Sequence, residues 1–72
     1  MHQNIKEHMQ VIGSDGTVIG IVDRVQGNEI KLTKGGGTAH HFIPLDWVDR
    51  IDSHVHLSKA ANDAKAQWRE AA

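Results

Sequence analysis

His54 and His56 stand two residues apart in the run Asp52-Ser-His-Val-His56. In a strand that spacing projects both imidazoles from one face, about 7 Å apart, close enough to share a metal ion. Asp52 joins them if the strand runs on, and His40 or His41 from a neighbouring segment would bring the donors to the three or four that zinc requires. Plain alternation of polar and apolar residues explains the same pattern without an ion. The chain also lacks the cysteines and the helical histidine spacing of established zinc motifs.

Other residues invite chemistry less strongly. The run Gly35-Gly36-Gly37 leads into Thr38-Ala39-His40 and a strand pattern, whereas a phosphate loop needs a Lys-Ser/Thr pair and a helix N-terminus. Ser14, Ser53 and Ser58 all fall at turn or cap positions, which account for them without a nucleophile. Asp46, Asp49 and Asp52 recur every third residue around Trp47, a pattern that turn capping and strand solvation explain. A chain of 72 residues is expected to have little room for a pocket of about 300 Å³ or more. No enzyme activity and no cofactor are therefore expected.

The elements that must position these residues are short. Met9 to Ile12 reads as a strand, Gly13-Ser-Asp-Gly-Thr17 as a turn in which Asp15-Gly16 supplies a positive φ, and Val18 to Gln26 as a second strand. Gly20 within it suggests a bend. Gly27-Asn28 makes a tight hairpin into Glu29-Ile-Lys-Leu-Thr-Lys34, with Ile30 and Leu32 inward. Ala39 to Ile43 forms a strand ended by Pro44, Leu45-Asp46-Trp47 a 3₁₀ turn, and Val48 to Asp52 and His54 to Leu57 the last two strands. Asn4 to Met9 is expected to form one helical turn, with Asn4 as its cap.

Ser58 is the expected N-cap of a final helix running from Lys59 to about Ala72, rich in alanine and free of Gly and Pro. Its apolar stripe is Ala61, Ala64, Trp68 and Ala71. An isolated helix of this length is marginal in water, so Trp68 must dock onto the β-barrel or onto another chain. Trp68, Ala64 and Ala61 are thus the candidate interface residues, and Trp47 is expected to close the core.

The order strand, Gly-Ser-Asp-Gly turn, Gly20 within the next strand, Phe42-Ile-Pro-Leu-Asp-Trp-Val48 and a closing His-Val-His-Leu hairpin resembles the PRC-barrel superfamily. It is most similar to a bacterial group of short, stand-alone PRC-barrel-like proteins of unknown function. That resemblance implies an all-β, highly twisted barrel of five or six strands over about residues 9–57, with the C-terminal helix over about 59–72, in a single domain spanning 1–72. It also implies a protein-docking role without catalysis. Two systems that use this barrel add a membrane helix, in the reaction-centre H subunit, or an N-terminal domain, in the ribosome maturation factor, and neither addition is expected for this sequence.

Composition bounds the remaining possibilities. Eight Lys plus Arg against nine Asp plus Glu, with the basic residues scattered singly, argues against nucleic-acid binding, which depends on neutralising phosphates. There is no cysteine, no signal-like N-terminus and no stretch near the roughly 20 apolar residues of a membrane span, so a cytoplasmic protein is expected. Six histidines make surface charge sensitive to pH near 6. The expected function is a non-enzymatic module that docks a protein partner or a second copy of itself. A metal- or pH-responsive protein using His54 and His56 is the alternative, and a ribosome- or RNA-associated accessory protein is a third.

Overall fold

The computed structural model describes residues 4–33 and 40–71. Seven strands, β1 (Gln10–Ile12), β2 (Val18–Gln26), β3 (Glu29–Leu32), β4 (His40–Pro44), β5 (Val48–Ile51), β6 (Val55–Leu57) and β7 (Arg69–Ala71), form one sheet in the order β5-β6-β1-β2-β3-β4-β7. Leu45–Trp47 is a 3₁₀ turn and α1 spans Ala61–Gln67. Every pairing is antiparallel except that of β1 with β6. The fold is mostly β with one short helix near its C-terminal end, but the expected five- or six-stranded barrel is not closed. Among the described residues no ladder joins β5 to β7, and both remain edges. The triple glycine at 35–37 lies outside the described residues.

Strand β2 organises the sheet. Its first half pairs with β1 and its second half with β3, and its register slips once in each ladder, beside Ile19 and at Asp23. Such bulges bend a strand and break its period of two. Ile19 and Val22 are therefore both buried while Val18 is 45% exposed, where strict alternation would have paired Val18 with Val22. The bend expected at Gly20 is made by the bulges on either side of it. The Gly27-Asn28 hairpin forms as expected, with Gln26 opposite Glu29. Gly27 has φ +63 at the first turn position, the only one of the two with positive φ, which is the type II′ pattern.

Val11, Val22, Ile30, Leu32, Ile43, Val55 and Leu57 are the most deeply buried large side chains, and with Ile5, Ile19, Ala61 and Ala64 they make one cluster. Both halves of the sheet contribute to it, so the sheet folds over its own inner face and α1 closes the gap with alanines. Ile5 lies in the cluster and Met9 packs against it, but the helical turn expected over Asn4 to Met9 does not form. The chain enters through a turn in which His8 has φ +74, its N–H donating to Val22 O at 2.8 Å.

Helix α1 is capped from far away in sequence. Its N-cap residue is Ala60, which has no side-chain acceptor, and Ser58 instead donates its hydroxyl to Trp47 O at 3.3 Å. The missing acceptor is Asp15, 46 residues upstream, whose Oδ1 takes the Ala61 N–H at 3.3 Å and the Thr17 N–H at 3.3 Å. Ser14 N–H donates to Lys59 O at 2.8 Å, so the β1–β2 turn is hydrogen-bonded along the entry to the helix. The Thr17 N–H above all, with the Ala61 N–H adding less, holds the Asp15 carboxyl below its ordinary value of 3.8 and outweighs the desolvation that opposes it. A depressed folded-state value stabilises the fold above the unfolded value and is lost as pH falls through the folded one. Asp15→Ala is accordingly expected to lower the melting temperature at pH 7, with the difference from wild type shrinking below the ordinary value of 3.8. Paired thermal melts from pH 7 down to pH 2.5 check this, and a difference that does not change with pH would refute it.

The expected 59–72 helix ends at Gln67. Trp68 N–H closes the last turn onto Ala64 O at 2.8 Å, but Trp68 itself is extended, with φ −68 and ψ 158. The chain continues as β7 along β4, with Phe42 opposite Arg69 and His41 opposite Glu70. Helix propensity loses here to an open sheet edge and to side-chain anchors. Arg69 Nη2 reaches Glu29 Oε1 at 2.6 Å, and its guanidinium lies 4.2 Å from the Phe42 ring centre. An α-helix through the same residues would leave those partners unmet.

Candidate functional site

Two places collect residues with unassigned chemistry. The first is the β5–β6 hairpin. Ile51 pairs with Val55, leaving Asp52-Ser53-His54 as its loop. Asp52 N–H donates to His54 O at 3.0 Å, and Asp52 Oδ1 accepts the His54 N–H at 2.9 Å. This closure turns the Asp52 carboxylate back over β6, where its Oδ1 meets His56 Nε2 at 2.9 Å and lies 4.0 Å from His54 Nδ1. Ligand atoms of Asp52, His54 and His56 all fall within 4.8 Å of one another. The loop brings Asp52 to the pair, whereas the sequence reading required the strand to continue through it.

The His54 N–H, then the His56 imidazole and Arg50 beyond it, hold the Asp52 carboxyl below the usual carboxylate range. Ser53 Oγ sits 3.1 Å from His54 Nδ1, which places a serine, a histidine and an aspartate side by side. They do not form a relay. Serine and aspartate approach the same ring nitrogen, while a catalytic triad needs the acid on the opposite one.

His40 and His41 do not join this group. They lie on β4, which is separated from β6 by β1, β2 and β3. His40 Nδ1 is 3.0 Å from Leu32 O, and the His41 ring stacks on Trp68 with centroids 3.8 Å apart and planes 15° from parallel.

That stack forms one wall of the second place, a cleft of about 450 Å³. Val18 to Ile21 of β2 and Leu32 and Thr33 at the end of β3 line it, together with His41, Lys65 and Trp68. The expectation that so short a chain has little room for a ligand-sized cleft is corrected here. β2 and β3 stay hydrogen-bonded as far as Thr33 N–H to Ile21 O at 2.9 Å, β2 begins earlier at Val18, and Trp68 just past the helix stands at that end of the pair. Trp68 is half-buried and packs against the core, while Glu70 Oε2 holds His41 Nε2 at 3.2 Å from the side of β7. Lys65 makes no ion pair among the described residues.

Of the three candidate interface residues, Ala61 and Ala64 are 3% and 0% exposed inside the chain's own core, and only Trp68 offers surface. Trp47 packs against the core, with Lys59 Nζ 5.2 Å from its ring centre. Asp15 is the residue whose role sequence reading missed. Its turn chemistry is visible locally, but its helix cap depends on a contact 46 residues away.

The fold and these sites define a small, mostly β, single-sheet protein with a cleft of about 450 Å³ and, among the described residues, an imidazole–carboxylate cluster. The chain belongs to a bacterial family described as an uncharacterized protein conserved in bacteria (DUF2171), whose model matches residues 5–65. No curated protein matches the chain. No helix among the described residues is long and apolar enough to cross a membrane.

Proposed function

We propose that the chain is a non-catalytic docking module of PRC-barrel-like type, whose cleft takes an apolar side chain flanked by a carboxylate from a partner protein. The observation that carries this reading is the Trp68 wall. A half-buried indole, fixed from behind by His41, stands over an apolar floor next to the exposed Val18. Tryptophan is among the residues most enriched at binding hot spots. The Lys65 ammonium at the same cleft complements an acidic neighbour of the inserted side chain. The cleft lacks a nucleophile, base and acid in series, and the Ser53-His54 pair lies on another hairpin with its aspartate on the wrong nitrogen.

The test is selection from a displayed random peptide library on the immobilised full chain. Enriched peptides are expected to pair a large apolar residue with Asp or Glu. Their affinity is expected to fall about 30-fold or more in a folded Trp68→Ala variant. Lys65→Glu, at an exposed position, should reverse the acidic preference. No enrichment, or equal binding by both variants and wild type, would overturn the reading. A wild-type dimer in light scattering that dissociates in Trp68→Ala would place a second copy in the cleft and exclude the external partner.

A further inference from the structure

We infer that Asp52, His54 and His56 form a binding site for one divalent transition-metal cation of the zinc type. This is independent of the cleft, which lies on other strands. The inference rests on local geometry. Backbone hydrogen bonds across the Asp52-Ser53-His54 loop fix the carboxylate over β6, with His56 on that strand and His54 at the end of the loop just before it, their ring centroids 6.2 Å apart. The separations are 2.9 Å between His56 Nε2 and Asp52 Oδ1 and 4.0 Å between His54 Nδ1 and that oxygen. Ligand atoms around four-coordinate zinc lie roughly 3.3 Å apart, given metal–ligand distances of about 2.0–2.1 Å. These two distances straddle that value and all three ligand atoms lie within 4.8 Å of one another, a spread that side-chain rotation can close.

The donor set selects the class of ion. Two imidazoles and one carboxylate suit zinc and its neighbours in the first transition row, while magnesium and calcium favour oxygen ligands throughout. Three protein ligands leave one position for water. His56 would offer Nε2 unprotonated, with its proton on Nδ1. The neighbouring groups are compatible with this arrangement. Arg50 Nη1 approaches the other carboxylate oxygen, Oδ2, at 4.0 Å and leaves Oδ1 to the cation. Ser53 Oγ, 3.1 Å from His54 Nδ1, is a hydroxyl that can rotate away when that nitrogen turns to a metal. The three residues are exposed or half-buried, so an ion reaches them from solvent.

The experiment is calorimetric titration of the metal-free full chain with Zn²⁺, with Mg²⁺ as control and nitrogen-15 spectra of the imidazoles to show which rings respond. One Zn²⁺ per chain is expected, with shifts at His54 and His56 and none caused by Mg²⁺. Removing an outer-shell partner alone costs metal sites about 10- to 100-fold in affinity, so His54→Ala with His56→Ala should lose at least about 100-fold. Asp52→Asn should weaken binding too, whereas His41→Gln should leave it unchanged. The wild-type spectra keep the test sound if the double variant fails to fold. Absence of Zn²⁺ binding, or imidazole shifts confined to other histidines, would overturn the site. So would undiminished binding by the folded double variant.

Discussion

Replacing Gly13 by alanine is expected to lower the melting temperature by roughly 10–20 °C, from about 2–3 kcal/mol of lost stability. A Cβ at this position would stand 2.5 Å from Ala61 N, 3.1 Å from Ala60 C and 2.9 Å from Asp15 Oδ1. The first two are backbone atoms at the start of α1 and cannot turn aside. Relief requires the β1–β2 turn and the helix to separate, which also breaks the Ser14–Lys59 and Asp15–Ala61 hydrogen bonds. The matched control is Gly20→Ala, whose Cβ would meet chiefly Leu32 Cδ1 at 3.1 Å, the end of a side chain. Its cost should stay within about 1 kcal/mol, because alanine also recovers strand propensity. Thermal melts of both variants check the contrast. Equal shifts in the two would show that the turn does not lie against the helix.

Ile30→Ala is expected to remove about 2–5 kcal/mol. The side chain is 0% exposed and sits between Val25 and Ile43 in the centre of the β2-β3-β4 ladder. A chain of 72 residues has roughly 4–11 kcal/mol in total, so this single truncation approaches the smaller bound. The variant should be partly unfolded at 37 °C and should unfold at markedly lower urea concentration with a similar slope. Loss below about 1 kcal/mol would mean that the site collapses to fill the void, and that the core is looser than its burial indicates.

What could be read from the sequence was what neighbouring residues decide. The Gly27-Asn28 hairpin, the inward Ile30 and Leu32, the 3₁₀ turn at Leu45–Trp47 and the bounds of β2 follow from turn chemistry and alternation, and all are present. The errors share a different cause. The 59–72 helix ends at Gln67 because β4 has an open edge that residues 69–71 can complete, which no local propensity records. Asp15 is the cap of α1 only because the turn and the helix meet in space. Alternation along β2 fails at its two bulges, which also keep Val18 out of the core.

The candidate cluster was half legible for the same reason. His56 lies on β6, but the strand expected from His54 begins at Val55, so His54 and Asp52 both come from the loop, and His40 and His41 are removed by three intervening strands. The cleft was not legible at all. It depends on Trp68 leaving the helix axis to stack on a histidine 27 positions earlier in the chain, across a sheet edge whose pairing appears only in the folded protein.

Docking at the Trp68 cleft is tested most directly by mapping backbone amide shifts of the full chain on adding a peptide enriched on it by display. Saturable shifts concentrated at Val18 to Ile21, Thr33, Lys65 and Trp68 are the expected result. Shifts that instead gather along β5 and its hairpin, with the Trp68 indole signal unmoved, would contradict it and move the binding face to the opposite edge of the sheet.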